Sequence, residues 1–361
     1  MNKNKITQNQ YIFIIIASMV GIGILSLPTN ISKIAHQNGW ISTFISGIYP
    51  IFIVITASII DKKTVHADFW DINNKIYGKT LSYIFTFIFF FYFLTIFSAV
   101  IAGYTNILNT TIATFLPPIF VVFPTLLIVT LISMSGIYMI GRICELYFYF
   151  SIPLIVIPLF FIGKGSLFNI QPFFSPYTEI IKAIPNTFLT YTLVEICYII
   201  ISKISNRKNT KKAGIIACVV TIFIYTFFIS FIAIYYLGWE LTSKLEVPII
   251  YMIETLRVPL ISNFKALFIF LWSEIVFKHL LCDSFVLSYC LSKLLKMSYK
   301  KACIISSVIT LAYTFLMIPE YNRKMIIDFF VHYFVIFSVT WGLATTILVS
   351  IRYRGEKDEH V

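Results

Sequence analysis

Glu274, Lys278, His279 and Asp283 sit deep inside the apolar run at 264–289, and Glu195 is the sole acid within the apolar run at 180–201. In hydrocarbon each such group costs several kcal/mol unless it is paired or wet, so they demand an account. At roughly 100° per residue, Glu274 and Lys278 share one helix face, whereas His279 and Asp283 share the nearly opposite one. The spacing admits two readings. Each pair neutralises itself and does nothing further, or one pair faces a central cavity and meets a ligand, an ion or Glu195. The second reading places Lys278 on the cavity side, at a depth comparable to Glu195, with the two groups interacting or sharing a proton. Asp283 would then face lipid or an inert neighbour.

The run Met19-Val20-Gly21-Ile22-Gly23-Ile24-Leu25-Ser26-Leu27-Pro28 carries a different chemistry. Two glycines two residues apart lower helix propensity, and Pro28 removes a donor from the following turn. Inside a bilayer, backbone freed in this way is tolerated only where it lines a cavity or meets protein. Gly21, Ile22, Gly23 and Ile24 are therefore candidate ligand-binding backbone: freed N–H groups at a helix terminus can hold a carboxylate. Thr190 and Thr192 could accept from an ammonium. Tyr92, Thr95 and Ser98 fall within two turns and could line a cavity wall, although such hydroxyls also bond their own helix backbone. Trp272 is a candidate floor or lid. No HExxH, Gly-rich phosphate loop, GxSxG or metal-ligand spacing occurs, so no enzyme, cofactor or metal site is expected. The six cysteines fall in or beside apolar runs and serve best as small apolar filler.

The elements that must position these residues are membrane spans. Of 361 residues, 58% are hydrophobic and only 12% charged, far below the charge of a soluble domain. Runs long enough to cross about 30 Å of hydrocarbon recur ten times, near 11–35, 40–60, 81–109, 117–135, 140–162, 180–201, 213–237, 264–289, 301–319 and 326–350. The first run lacks a cleavage site and serves as its own insertion signal. With both termini in the cytoplasm, nineteen of the 28 Lys and Arg residues fall on the inner side. The net charge of +12 is thus mostly topology, and no nucleic-acid surface is expected. The connection 61–80 could carry a short surface helix, and 238–263 an external helix over the mouth or an ordinary solvated connection.

Ten spans divide as five and five, giving cytoplasmic tails 1–10 and 351–361 around a transmembrane domain 11–350 with repeats 11–162 and 180–350. An odd number per repeat inverts the second, as in many secondary transporters, and the first span of each half is expected to be discontinuous. In span 6 the break would lie near Pro185-Asn186 and Thr190 to Thr192, without a glycine.

With Gly21-Ile22-Gly23-Ile24-Leu25-Ser26-Leu27-Pro28, the ten spans and Phe268-Ile-Phe-Leu-Trp-Ser-Glu-Ile-Val-Phe-Lys278, the chain resembles the B subunits of spore germinant receptors, a branch of the amino acid, polyamine and organocation transporter superfamily. The resemblance implies an all-α fold of two inverted five-helix repeats with spans 1 and 6 broken around a small-molecule site. It also implies A-type and C-type partner subunits and the inner membrane of a spore. Carried over residue by residue, it makes Gly21 and Gly23 the span 1 backbone site, Glu195 the matching span 6 acid and Lys278 the span 8 charge. A germinant-binding receptor subunit is the expected function, with a proton- or sodium-coupled amino acid transporter as the alternative.

Overall fold

Glycine decides where the first span stops being a helix. In the computed structural model, which describes residues 5–64, 67–256 and 264–352, span 1 opens at Thr7, whose side chain accepts from the Gln10 amide while the Gln10 side chain reciprocates. The helix Gln8–Met19 ends at an extended Val20, and Gly23–Ala35 resumes with Pro28 in its second turn. A turn at His36 reverses the chain into span 2, Gly39–Ser46 and Ile48–Lys63.

The connection before span 3 does hold a helical segment: Asp68 caps the Trp70 amide, and the helix Phe69–Thr111 kinks at Gly78, whose φ of 81° suits glycine. Spans 4 and 5 are Ile119–Ser133 and Ile137–Val156. Span 6 runs from Tyr177–Phe188 to Cys197–Ile200 through short 3-10 turns. Span 7 starts as Thr210–Phe223, widens into a π-helical stretch Ile224–Phe231 and closes as Ile232–Leu237. Spans 8, 9 and 10 are Phe264–Leu294, Tyr299–Met317 and Glu320–Arg352. Both ends of the described chain lie on one face, here called proximal. On the other, distal face two short helices, Trp239–Lys244 and Pro248–Glu254, follow span 7. Residues 1–4 and 353–361 of the tails, and 257–263 of the distal connection, lie outside the described residues.

Among the described residues, six helical runs are long and apolar enough to cross a membrane. Large apolar side chains such as Phe44, Phe120, Phe150, Phe223, Phe270 and Phe329 remain exposed on the outer faces of the bundle, where lipid takes the place of a partner. The packing is internally repeated. Span 1 packs on 5, 7 and 8, and span 6 meets 10, 2 and 3; span 3 packs on 9 and 10, and span 8 on 4 and 5. Adding five to a span number therefore maps one set of neighbours onto the other. With five spans per half the second copy is necessarily inverted, so the ten-helix inverted repeat expected from the hydropathy is present.

Candidate ligand site between the broken spans

The two breaks lie against each other: the proximal half of span 1 packs on the 3-10 turn Val194–Ile196, and its distal half on the turn Leu189–Tyr191. In span 1 the chain must satisfy carbonyls that the interrupted helix leaves open. Met19 O accepts from the Tyr225 hydroxyl at 2.7 Å, and Ala17 O faces His279 Nδ1 at 3.2 Å. Since a carbonyl can only accept, Nδ1 carries the hydrogen. The other ring nitrogen, Nε2, is then presented to Asp283 Oδ2, 3.5 Å away. Asp283 is fully buried, and neither carboxyl oxygen has a hydrogen-bond partner among the described residues.

The glycines divide their work. A Cβ on Gly21 would sit 2.8–3.0 Å from the His279 ring, so this glycine admits a side chain of span 8, contrary to the expectation that it admits a ligand. A Cβ on Gly23 would meet nothing within 4 Å among the described residues. Ile22 is committed to packing, its Cδ1 lying 2.5 Å from where a Gly103 Cβ would stand on span 3. Ile24 is buried and its amide reaches Gly21 O at 3.5 Å. Of the four backbone candidates, Gly23 is the one bordered by open space.

Span 6 breaks without a glycine. Thr192 is extended and Leu193 takes a left-handed φ of 72°, a conformation that costs an L-residue on the order of 1 kcal/mol or more and persists because neighbours hold it. The break falls later than Pro185-Asn186; Pro185 stays inside the helix Tyr177–Phe188. Thr190 is half-buried in the 3-10 turn, and Thr192 is nearly buried. The Tyr92 hydroxyl faces Thr192 and the Leu193 backbone, while its ring stacks on Phe334 of span 10 with centroids 3.4 Å apart. Thr95, in contrast, donates to Phe91 O in its own helix. Tyr191 donates to Thr43 O and meets the Tyr225 ring edge-on, which ties the π-helical stretch of span 7 to both breaks.

Glu195 and Lys278 do not meet. Glu195, fully buried, accepts from Tyr49 of span 2 and lies 3.4 Å from Ser338 Oγ of span 10. Lys278 turns towards span 5, where Nζ stands 3.4 Å from Ser151 Oγ and 5.9 Å from the centre of the Phe148 ring. Glu274, one turn away, is not within ion-pair distance of it among the described residues. The reason is rotational: span 8 presents its His279–Asp283 face to the span 1 break, so Lys278, about 100–140° around the helix from those two residues, meets span 5 instead. Trp272 is fully buried against Tyr104 of span 3, with centroids 5.7 Å apart and no acceptor for its Nε1 among the described residues.

Sequence reasoning located the span 1 break and the i,i+4 pairs of span 8, placed the span 6 break only approximately, and turned Lys278 rather than His279 and Asp283 towards the span 1 break. Tyr49, Ser338, Tyr225 and Gly103 were missed, being ordinary residues of apolar spans whose role depends on which helices become neighbours. Among the described residues no group of three His, Cys, Asp or Glu could hold a metal ion.

The sequence profile of a family described as spore germination protein matches residues 5–324. Spore germination protein YndE of Bacillus subtilis (strain 168) is 26% identical over 220 residues, 59% of this chain and 60% of that protein. The chain thus spans less than two thirds of the length of that relative. Spore germination protein B2 of the same organism is 23% identical over 269 residues, 72% of this chain and 70% of that protein. Among solved structures, MhsT in complex with L-phenylalanine superposes with a TM-score of 0.67 at 16% identity, over 96% of this chain and 89% of that one. A substrate-bound, outward-open Na+-coupled sialic acid symporter gives a TM-score of 0.67 at 12% identity, over 96% and 78%. At such identities the likeness is one of fold. The transporter-like ten-helix bundle and the profile match over most of its length together place this integral membrane protein in the spore germination protein family of permeases.

Proposed function

We propose that this chain is a germinant-sensing subunit: a small nutrient of the amino acid class binds between the broken spans, shifts their packing, and partner subunits read the shift. The observation that carries the reading is the open space at Gly23 beside two apposed helix breaks, in a chain of the spore germination family. The structural neighbours support the ligand class, since one of them, MhsT, is seen in complex with L-phenylalanine. A carboxylate at the amino end of Gly23–Ala35 would meet helix N–H groups, and Thr190 or Thr192 lies across the break for an ammonium. The tails then lie in the cytoplasm, the distal face towards the spore exterior, and the membrane is the spore inner membrane. A-type and C-type receptor subunits complete the assembly, and the division into repeats 11–162 and 180–350 follows the packing.

A second reading, an ion-coupled transporter of the same superfamily, is favoured by Asp283, a buried carboxyl without a hydrogen-bond partner among the described residues, beside the span 1 break. The two differ in whether the bound state completes a crossing. Proteoliposomes bearing the purified chain test this: a receptor binds a nutrient amino acid in equilibrium dialysis without accumulating it under an imposed proton or sodium gradient. In spores, deletion of the chain abolishes germination by that nutrient. Gradient-driven accumulation together with unaltered germination refutes the receptor reading.

A further inference from the structure

Two buried hydrogen-bond donors towards the distal face have no acceptor among the described residues. Arg323, in the first turn of span 10, reaches back over span 3: its Nε and Cζ lie 3.8 and 3.9 Å from the point a Gly103 Cβ would occupy. Ile22 of the span 1 break touches that same point, so the guanidinium stands directly distal to the break. Gly103 makes this possible because no side chain of span 3 stands between them. Arg323 Nη1 is buried with no acceptor among the described residues. The second donor is Trp272 Nε1, likewise buried and unmet, on the ring that packs against Tyr104, the residue after Gly103.

The acids of the neighbourhood are engaged elsewhere. Glu320 pairs with Lys324, and the Glu246 carboxyl hydrogen-bonds Glu320. Both acids act on Arg323 only as nearby charges, without taking Nη1. Two unmet donors beside neighbouring residues of span 3, one of them cationic, are complementary to an acceptor-only group. The planar fork of a guanidinium matches a carboxylate in particular.

We propose that Arg323, with Trp272, forms a carboxylate-capture subsite on the distal side of the span 1 break, where the carboxylate of an arriving amino acid is held before the ligand settles beside Gly23. The subsite rests on the amino acid reading given above. It also gives Trp272 a part that packing alone does not explain, since a wholly apolar aromatic would fill the same place without burying an unmet N–H.

The test uses the full chain in lipid nanodiscs, with thermal shift and calorimetric titration of the L-amino acids and of the carboxamide of each one that binds. Arg323→Gln is expected to weaken amino acid binding by about tenfold or more, and Arg323→Lys by less. The carboxamides are expected to bind weakly and alike to the wild type and Arg323→Gln. An unchanged Kd in Arg323→Gln, or carboxamides that bind as tightly as the acids, overturns the subsite. Should no amino acid bind the wild type, the ligand reading is what fails, and the subsite is then judged on propionate alone. Propionate must shift the melting of the wild type more than that of Arg323→Gln; any other result overturns it. Melting of the unliganded variants separates lost binding from lost folding.

Discussion

Replacing Gly21 and Gly23 by alanine one at a time separates packing from ligand space. At Gly21 the new methyl would stand 2.8, 2.9 and 3.0 Å from three atoms of the His279 ring. The ring cannot retreat freely, because Nδ1 is held on Ala17 O at 3.2 Å and Nε2 faces Asp283. Overpacking of this kind costs about 1–3 kcal/mol, and a displaced hydrogen bond adds about 1 kcal/mol. The lower chain entropy of alanine in the unfolded state offsets about 0.4–1 kcal/mol. The net expectation for Gly21→Ala is a loss of about 1–3 kcal/mol, or several degrees of melting temperature in a chain of this size. At Gly23 the methyl meets nothing within 4 Å, so Gly23→Ala is expected to melt within about 1 kcal/mol of the wild type while losing ligand response as the side chain grows. All six cysteines are free and buried, so a thiol-reactive dye reports unfolding directly at a fixed scan rate. A double-mutant cycle with His279→Ala, which empties the space the methyl needs, should show a coupling of about 1–3 kcal/mol. Equal melting of the two glycine variants, or additivity of Gly21→Ala and His279→Ala, would refute the assignment of Gly21 to His279.

Lys278→Met should melt at or above the wild type, by as much as about 1–4 kcal/mol, because it removes a buried cation that makes no ion pair among the described residues and keeps its volume; a clear fall in melting temperature would mean that Lys278 has an unrecognised partner. Tyr49→Phe removes a side-chain donor to the buried Glu195 carboxyl and should destabilise by about 1–3 kcal/mol, with Glu195→Gln milder because an amide still offers Tyr49 an acceptor; the same melting assay checks the order. On the distal face, partial burial and the neighbouring Glu320 carboxyl hold Glu246 above the usual carboxylate range. A folded value above the unfolded one means that the stabilisation is complete below the ordinary carboxylate range and is lost as pH rises through the raised value. Protection factors for hydrogen exchange of 239–254 should therefore fall as pH rises through that transition, and Glu246→Gln should flatten the profile; protection in the wild type that does not change with pH would rule out this contribution.

The hydropathy of the chain determined ten spans, since about 20 apolar residues in succession have one stable fate in water and lipid. Five spans per half then implied inversion by parity. Gly21, Gly23 and Pro28 announced the first break through backbone chemistry that any reader of the sequence can apply. Span 6 gave no such signal: Leu193 adopts a left-handed φ because Tyr92, the proximal half of span 1 and span 2 surround it, and no local propensity encodes that. The same distinction governs span 8. Periodicity showed that Lys278 and His279 could not share a face, but which face met the break depended on how the helix is rotated against spans 1 and 5. That rotation is set by packing, by Gly21 admitting the His279 ring and Ser151 and Phe148 receiving Lys278. Arg323 is the extreme case: in the sequence it is one more basic residue of a short connection, and only the bare backbone of Gly103, 220 positions earlier in the chain, brings it over the break.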